Sequence, residues 1–200
     1  MANFSTGFGY DFYIVPLAAA EVDTAFTGVS NAAGFISTTT VQSPSAVISY
    51  ASGVFSVGAT ALDMDGTDNP FRLYGLNNAA LETDTNTEEV VTYDDETKGF
   101  NITLPTSKTW SFSLSGVADF KDAGYHVLRL TEQNTVADAL RVKVLRIGPT
   151  GTDEAIYGYG TLQGYTESNE AGSIVSWEAT IQGYGPYRID IDANVAPPTP

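Results

Sequence analysis

Between residues 100 and 115 the chain alternates with a period of two. Phe100, Ile102 and Leu104 are separated by Asn101 and Thr103, and Trp110, Phe112 and Leu114 are separated by Ser111 and Ser113, with Thr109 and Ser115 at the ends. Such a period puts apolar side chains on one side of an extended strand and small polar ones on the other. No helix satisfies it, so the chain must build a sheet with one buried face. Pro105-Thr-Ser-Lys108 between the two runs reads as a four-residue turn, which predicts an antiparallel hairpin.

A second pair of strands is marked by glycine. Gly158-Tyr-Gly-Thr-Leu-Gln-Gly164 is followed, after a polar loop at Glu167–Gly172, by Ser173-Ile-Val-Ser-Trp-Glu-Ala-Thr-Ile-Gln-Gly-Tyr-Gly-Pro186. The glycine spacing differs from that of a nucleotide-binding loop and no βαβ pattern follows. A trial register sets Gly164 opposite Val175, Leu162 opposite Trp177, Gly160 opposite Ala179 and Gly158 opposite Ile181. It puts all three glycines on the core side, with Trp177 spread over them and a helix docked closely. The other side then carries Tyr157, Tyr159, Thr161, Gln163 and Tyr165 beside Ser176, Glu178, Thr180 and Gln182.

The remaining elements follow from local signals. Tyr10-Asp-Phe-Tyr-Ile-Val-Pro-Leu17 is rich in β-formers, and Pro16 suggests an edge strand or an extended arm. Residues 27–46 have a loop-like composition and read as a connection. Val47–Ala51 and Val54–Val57 flank Ser52-Gly53, the spacing of a tight hairpin. Asp63–Pro70 is a turn cluster before a short strand at Phe71–Tyr74. Asp119 reads as the N-cap of a helix whose apolar stripe is Phe120, Ala123, Val127 and Leu130, ending near Asn134. Gly124 costs that helix about 1 kcal/mol, so docking must stabilise it. Leu140–Ile147 returns to strand, and Ala193–Pro200 is Pro-rich and tail-like.

Charge narrows the function. There are 24 acidic residues against nine basic, a formal net charge of -15, and 13 of the acids but only two of the bases lie in residues 1–107. A field of this sign repels polyanions, which excludes stable nucleic-acid binding through many phosphate contacts. From Leu81 to Glu96 come Glu82, Asp84, Glu88, Glu89, Asp94, Asp95 and Glu96 with no base, which reads as a long exposed loop or projecting hairpin. Arg141, Lys143 and Arg146 make residues 140–147 the one basic strand. It would complement the acidic segment of a neighbouring copy, or form ion pairs within the subunit.

No constellation of residues points to catalysis. The absence of cysteine removes disulfides, thiolate ligands and thiol chemistry. Asp63, Asp65 and Asp68 around Gly66 lack the spacing of a calcium loop, and turn chemistry accounts for them. The single histidine, His126, falls on the polar side of the predicted helix with Asp122 and Arg129, away from any nucleophile motif. Two carboxylates across a cleft would suit glycan hydrolysis, and an acid-rich β chain leaves that arrangement open, although no motif marks it. The expectation is therefore no enzyme, no cofactor and no metal site. No apolar run is long enough to cross a membrane, and the start Met-Ala-Asn-Phe-Ser-Thr lacks a secretory pattern, so a cytoplasmic origin is expected.

The order of elements carries a family resemblance. The acidic, Thr-rich lead-in, Val90-Val-Thr-Tyr93, the strand ending Trp110-Ser-Phe-Ser-Leu-Ser-Gly116, the Asp-bearing helix and the closing hairpin at Gly164–Gly185 together resemble the major tail tube protein of long-tailed bacteriophages, over roughly residues 85–190. Residues 28–60 do not align. The resemblance implies an antiparallel β-sandwich or barrel-like domain over 1–192, flanked by one amphipathic helix, with a tail at 193–200. It implies a non-enzymatic virion protein, assembled in the host cytoplasm, whose copies close into hexameric rings stacked as a hollow tube. DNA passes through without specific binding, and the partners are other copies, a tape-measure protein and tail-terminator or tail-tip proteins, with no membrane.

Contacts between rings would then come from an arm at 1–17, a loop at 76–98 and the tail. Candidate contact residues are Tyr10, Phe12, Tyr13, the seven carboxylates from Glu82 to Glu96, Arg141, Lys143 and Arg146. Tyr157, Tyr159, Gln163, Glu178 and Gln182 are candidates for the lumen or a contact face, and Trp110, Phe120, Val127, Leu130, Gly160 and Trp177 for core packing. The alternative is a glycan-binding or decoration module of a phage particle, using Tyr157, Tyr159, Tyr165, Tyr184 and Tyr187.

Overall fold

The β-formers assemble into a seven-stranded antiparallel sheet and a three-stranded one. The computed structural model describes residues 9–17, 26–51, 54–61, 70–91, 101–132, 141–149, 154–169 and 173–191. Its strands are β1 (Asp11–Leu17), β2 (Ile48–Ala51), β3 (Val54–Val57), β4 (Thr60–Ala61), β5 (Phe71–Arg72), β6 (Leu76–Val91), β7 (Asn101–Val117), β8 (Arg141–Ile147), β9 (Ala155–Ser168) and β10 (Ser176–Asp190). Among the described residues there are two α-helices, α1 (Ala32–Phe35) and α2 (Ala123–Glu132), and a short 3-10 helix at Thr38–Thr40. The large sheet runs β5-β1-β8-β9-β10-β7-β6 and the small one β2-β3-β4. The mainly β, sandwich-like class with one flanking amphipathic helix, α2, is as the sequence suggests.

The large sheet curls. β1 and β7 are four steps apart in its order, about 19 Å if it were flat. Yet the Phe12 and Phe112 rings meet edge to face at 5.2 Å between centroids. The concave side therefore closes on itself around Phe12, Ile14, Phe112, Leu114, Val142, Val144, Ile156, Trp177 and Ile181, with Phe55 of β3 and Tyr125, Val127 and Leu128 of α2 added. The other side of β1, β8 and the first half of β9 is also buried. Tyr13, Val15, Leu17, Leu145, Tyr157 and Tyr159 lie beneath Phe26, Ala32, Phe35 and Ile36. Residues 26–41, nearly all within the stretch 27–46 expected as a connection, are thus a cover, and this is why all of 155–160 is buried.

Several sequence expectations change. Pro105–Lys108 is not a turn: β7 runs through it and pairs with β6 from Leu76↔Gly116 to Val91↔Asn101. The proline is accommodated because the register slips between Asn86↔Ser107 and Thr87↔Pro105, a bulge, where a missing N–H is tolerated. The described part of the acidic stretch, residues 81–91, is accordingly strand β6 paired with β7 rather than a loop. Residues 11–17 are a strand of the large sheet and not an arm, and among the described residues the Pro16 end has a paired neighbour on one side only, as an edge position does. β1 pairs with β8 along its length and with β5 at Tyr13 and Ile14, so Pro16 lies where only β8 pairs. The hairpin at Ile48–Val57 forms as expected, with Ala51 opposite Val54.

The glycine hairpin forms in a different register: Ser168 opposes Ser176, Gly164 opposes Thr180, Leu162 opposes Ile181 and Gly160 opposes Gly183. A bulge leaves Gln163 without an opposite residue, and this reverses the faces beyond it. Gly158 and Gly160 face the core, but Gly164 does not, and Tyr165 turns inward to pack on the core instead of outward. The side chains over the inward glycines are Trp110 and Ile181, not Trp177 or α2. Trp177 lies against Gly116 of β7 instead.

The helix also starts later. Asp119 caps a preceding turn through the Lys121 N–H (2.9 Å), whereas Asp122 accepts from the Gly124 and Tyr125 N–H groups at 3.1 and 3.2 Å. Phe120, outside the helix, is exposed, and Leu130 is only half-buried, while Val127 is fully buried. Gly124 has a packing reason: a Cβ there would collide with the Arg72 carbonyl of β5. Docking thus uses the bare backbone at the position that weakens the isolated helix.

The glycines differ in a measurable way. A Cβ on Gly183 would overlap the Trp110 indole, and one on Gly160 would lie 2.5 Å from Ile181 Cγ2, but one on Gly164 would meet nothing within 4 Å. Gly183→Ala and Gly160→Val are expected to cost roughly 1–3 kcal/mol or more by overpacking. Gly164→Ala is expected to be neutral or slightly stabilising. Urea unfolding of the three variants checks this, and equal losses at Gly164 and Gly183 would contradict it.

Candidate assembly surfaces

Trp110 determines where β7 leaves the body of the sheet. β10 pairs with β7 only from Ser176↔Val117 to Gln182↔Ser111. β10 then bulges between Gly183 and Tyr187, and the indole Nε1 of Trp110 donates to the Gly185 carbonyl at 2.8 Å. Gln182 Nε2 donates to the Trp110 carbonyl at 3.0 Å, completing the junction. Beyond it, β6 and β7 continue paired only with each other, as a two-stranded ribbon. Residues 83–89 and 103–109 are all exposed.

Glu82, Asp84, Glu88 and Glu89 are exposed on β6, and Lys108 is the described base on the ribbon. Glu82 accepts from Ser113 Oγ at 3.1 Å, and Asp84 from the Thr85 N–H at 2.9 Å. Asp94, Asp95 and Glu96 lie outside the described residues, as do residues 1–8 and the tail. A ribbon of two strands has little burial of its own, so its contribution is reach rather than stability.

The uncovered part of the large sheet forms a second surface. Opposed residues Asn78↔Ser115, Ala80↔Ser113 and Glu82↔Ser111 on β6 and β7 continue across Ser115↔Glu178 and Ser113↔Thr180 to Thr166 and Gly164 of β9. These residues are exposed or half-buried, and they form a four-strand face of small polar groups whose charges, Glu82 and Glu178, are both negative. Gln163 is exposed beside it, and Gln182 is half-buried through its bond to Trp110. The serine alternation at 111, 113 and 115 was the available signal for this face. The expected hairpin turn hid that it spans four strands.

Other candidate residues lie inside the subunit. Phe12 and Tyr13 are fully buried, and Tyr10 is half-buried with the Arg146 guanidinium 5.0 Å from its ring. Tyr157 and Tyr159 are buried against Phe26 and Phe35, so they line no exposed face in this subunit. With Tyr165 bound to Glu167 and Tyr187 against Trp110, the five tyrosines form no single glycan platform. The three bases of β8 are engaged internally. Arg141 stacks on Tyr184 at 3.5 Å and reaches Thr161 Oγ1 at 3.2 Å. Lys143 donates to the Phe35 carbonyl at 3.3 Å. Arg146 crosses the curled sheet to the Ala79 carbonyl of β6 at 3.0 Å and pairs with Glu154 at 3.3 Å.

The titratable clusters are structural in their connections. Glu167 Oε1 accepts from Tyr125 and Tyr165 hydroxyls, both at 2.5 Å, and pairs with Arg129, tying α2 to β9. These donors, Tyr125 first, hold its carboxyl below the usual range. Asp122 is buried, with no ion-pair partner among the described residues, and accepts also from the Tyr74 N–H at 3.2 Å. Burial pushes it up to about 6, against the opposing pull of its three backbone donors. It is not on the polar helix face expected for it. His126 is half-buried, with Nε2 2.8 Å from the Phe120 carbonyl.

Among the described residues, no cluster of three or more carboxylates and histidine is placed to hold a metal ion, and no helix is long and apolar enough to cross a membrane.

Comparison with solved structures gives one likeness that shows a shared fold and two weaker ones. The chain is similar to a chain in the six-fold symmetrised baseplate of the anti-feeding prophage, with a TM-score of 0.52 at 8% identity over 96% of this chain and 99% of that one. It also matches a chain in the tail of an empty gene transfer agent particle, at 0.49 and 16% identity over 64% of this chain and 90% of that one. The SPP1 tail tube matches at 0.41 and 18% identity over 57% and 66%. No protein-family model matches, and no curated protein sequence matches significantly. The first likeness shows a shared fold.

Asp122 gives this architecture a specific pH response. Its pKa rises on folding, so the stabilisation it brings is full below about pH 4 and is lost as pH rises through about 6. The advantage of wild type over Asp122→Asn should therefore shrink, by up to about 3 kcal/mol, between pH 4 and pH 7. Paired urea titrations across that range measure it. A constant difference would show that Asp122 titrates normally in the folded chain.

Proposed function

We propose that the chain is a structural tail subunit, a major tail tube protein, whose copies close into rings of six that stack into a hollow conduit for phage DNA. The observation that carries this is the shared fold, over 96% of the chain, with a subunit of the six-fold symmetrised anti-feeding prophage baseplate. Its place would be the virion, its role non-enzymatic and without a cofactor, and its further partners a tape-measure protein and tail-terminator or tail-tip proteins. The domain spans residues 1–192 in this reading, with 193–200 as an extension.

The surfaces suit these roles. The small polar face of β9, β10, β7 and β6 is the best candidate for the lumen wall, with Glu178 and Glu82 on it. DNA has to slide past such a wall, and each added phosphate contact would strengthen binding in a salt-dependent way. The acidic ribbon of β6 and β7 has the reach to touch an adjacent copy. Six copies would carry six times the formal charge of -15, so mutual repulsion opposes closure until ions screen it.

Negative-stain microscopy of purified protein tests the assembly, with rings or tubes expected and more abundant at 0.5 M than at about 20 mM salt, where the Debye length exceeds ~20 Å. Equal abundance at both would remove the charge argument. In tubes, Glu178→Lys is expected to leave assembly intact and to introduce salt-sensitive retention of DNA. Unchanged DNA behaviour would move the lumen to another face.

A further inference from the structure

Two separated ends of the subunit expose large apolar side chains. At one, Ile174 is 74% and Phe120 53% exposed. The bond from the Ala118 N–H to the Val175 carbonyl, 2.8 Å, holds the segments bearing them side by side. Val47, 74% exposed, follows Pro44, whose carbonyl accepts from the Ala123 N–H at the same end. At the other end, Ile189 is 54% and Ile191 72% exposed, two residues apart where β10 finishes. The pairings Ser176↔Ser168 and Ile189↔Ile156 separate these ends by twelve residues of β9, about 40 Å.

We propose that these ends are the two halves of a head-to-tail contact between copies: Ile189 and Ile191 of one subunit seat against Phe120, Ile174 and Val47 of the next. The inference rests on the tail-tube reading and makes this contact the one along the tube axis. Charge decides against the acid-to-base alternative. Arg72 and Asp11 form an ion pair, Arg129 and Arg146 are paired with Glu167 and Glu154, and Arg188 donates to the Val29 carbonyl over the Phe26 ring. Arg141 and Lys143 are engaged as described. Among the described bases, Lys108 and Lys121 alone stand exposed outside such contacts. With so few cations to offer, acidic copies cannot be joined mainly by ion pairs, and contact has to come from a term that survives screening, which apolar burial supplies.

Geometry selects a second copy as the occupant. Each chain brings both patches, and they differ from each other. A contact between unlike surfaces at opposite ends does not close as a pair but propagates, as a stack requires.

Two double variants test it, Ile189→Ser with Ile191→Ser and Phe120→Ser with Ile174→Ser, each checked for a wild-type melting transition. If a double variant melts early, Ile191→Ser or Ile174→Ser alone takes its place. At concentrations where wild type forms tubes, each variant is expected to stop at single rings, with at least a tenfold higher concentration needed for stacking. Mixed in equal amounts, the two should give pairs of rings and nothing longer, because each supplies the half that the other lacks. Tubes from either variant at the wild-type concentration would overturn this contact while leaving the ring reading intact. A wild type that stays monomeric at every concentration and salt would overturn the tail-tube reading and this contact with it.

Discussion

The seating of Trp110 is the constraint on which the architecture turns. Its indole lies in a slot with no side chains on either side, Gly158 of β9 and Gly183 of β10, and any Cβ there would be in collision. The ring is buried, meets Phe112 edge to face and Tyr187 at a tilt, with centroids 5.8 and 5.6 Å away, and donates its N–H to the Gly185 carbonyl. Gly185 has a φ of +78°, a left-handed conformation that favours glycine, so the carbonyl that receives the indole is presented by a backbone few other residues would adopt. Removing β-propensity at three positions costs strand stability, and a fully buried indole with a satisfied donor offsets it. The result is a fixed point at which β10 turns away and the β6–β7 ribbon begins.

From that point the large sheet has two unlike halves. Around β1 and β8 both faces are buried, and the strands read as continuous hydrophobic runs broken by bases that find carbonyls, rings or carboxylates. Around β10 and β7 one face is bare, and the sequence alternates cleanly. The physical difference is the cover at residues 26–41, held down by Phe26 and Phe35 on Tyr157 and Tyr159, by Arg188 at the Val29 carbonyl and by the Asp190 carboxylate at the Ala32 N–H.

This division explains what was legible in the sequence. Alternation at 110–115 revealed the sheet, and the two-residue Ser52-Gly53 link revealed the small hairpin, because both signals are local. The cover was illegible because α1 has four residues and its burial depends on tyrosines more than a hundred positions away. The failed turn at Pro105–Lys108 rested on a local rule that proline ends a strand, whereas pairing with a strand twenty residues upstream absorbed it in a bulge. The register of the glycine hairpin failed for a similar reason. A bulge at Gln163 leaves the composition of each strand unchanged but reverses which residues face inward, so Tyr165 and Gly164 exchange roles. Among candidate contact residues, the described acids of β6 are exposed on the strand, while for the bases of β8 the sequence left contact with a neighbouring copy and pairing within the subunit both open, because it cannot show that β8 is a central strand whose bases turn inward.

The allocation of charge connects these local facts to assembly. A chain with nine bases has few ways to attract copies of itself electrostatically, and this one spends most of those bases inside the subunit, where they satisfy carbonyls or stack on rings. Acids are left outward on the ribbon and the bare face. Such an exterior stays soluble while copies are dilute, since repulsion is long-ranged, but it gives no short-range adhesion. In the proposed head-to-tail contact, adhesion comes from the exposed apolar side chains at the two ends, Val47, Phe120 and Ile174 at one and Ile189 and Ile191 at the other. Repulsion along the flanks with attraction at the proposed end contacts would favour growth in one dimension over aggregation in three, the geometry that the proposed conduit needs.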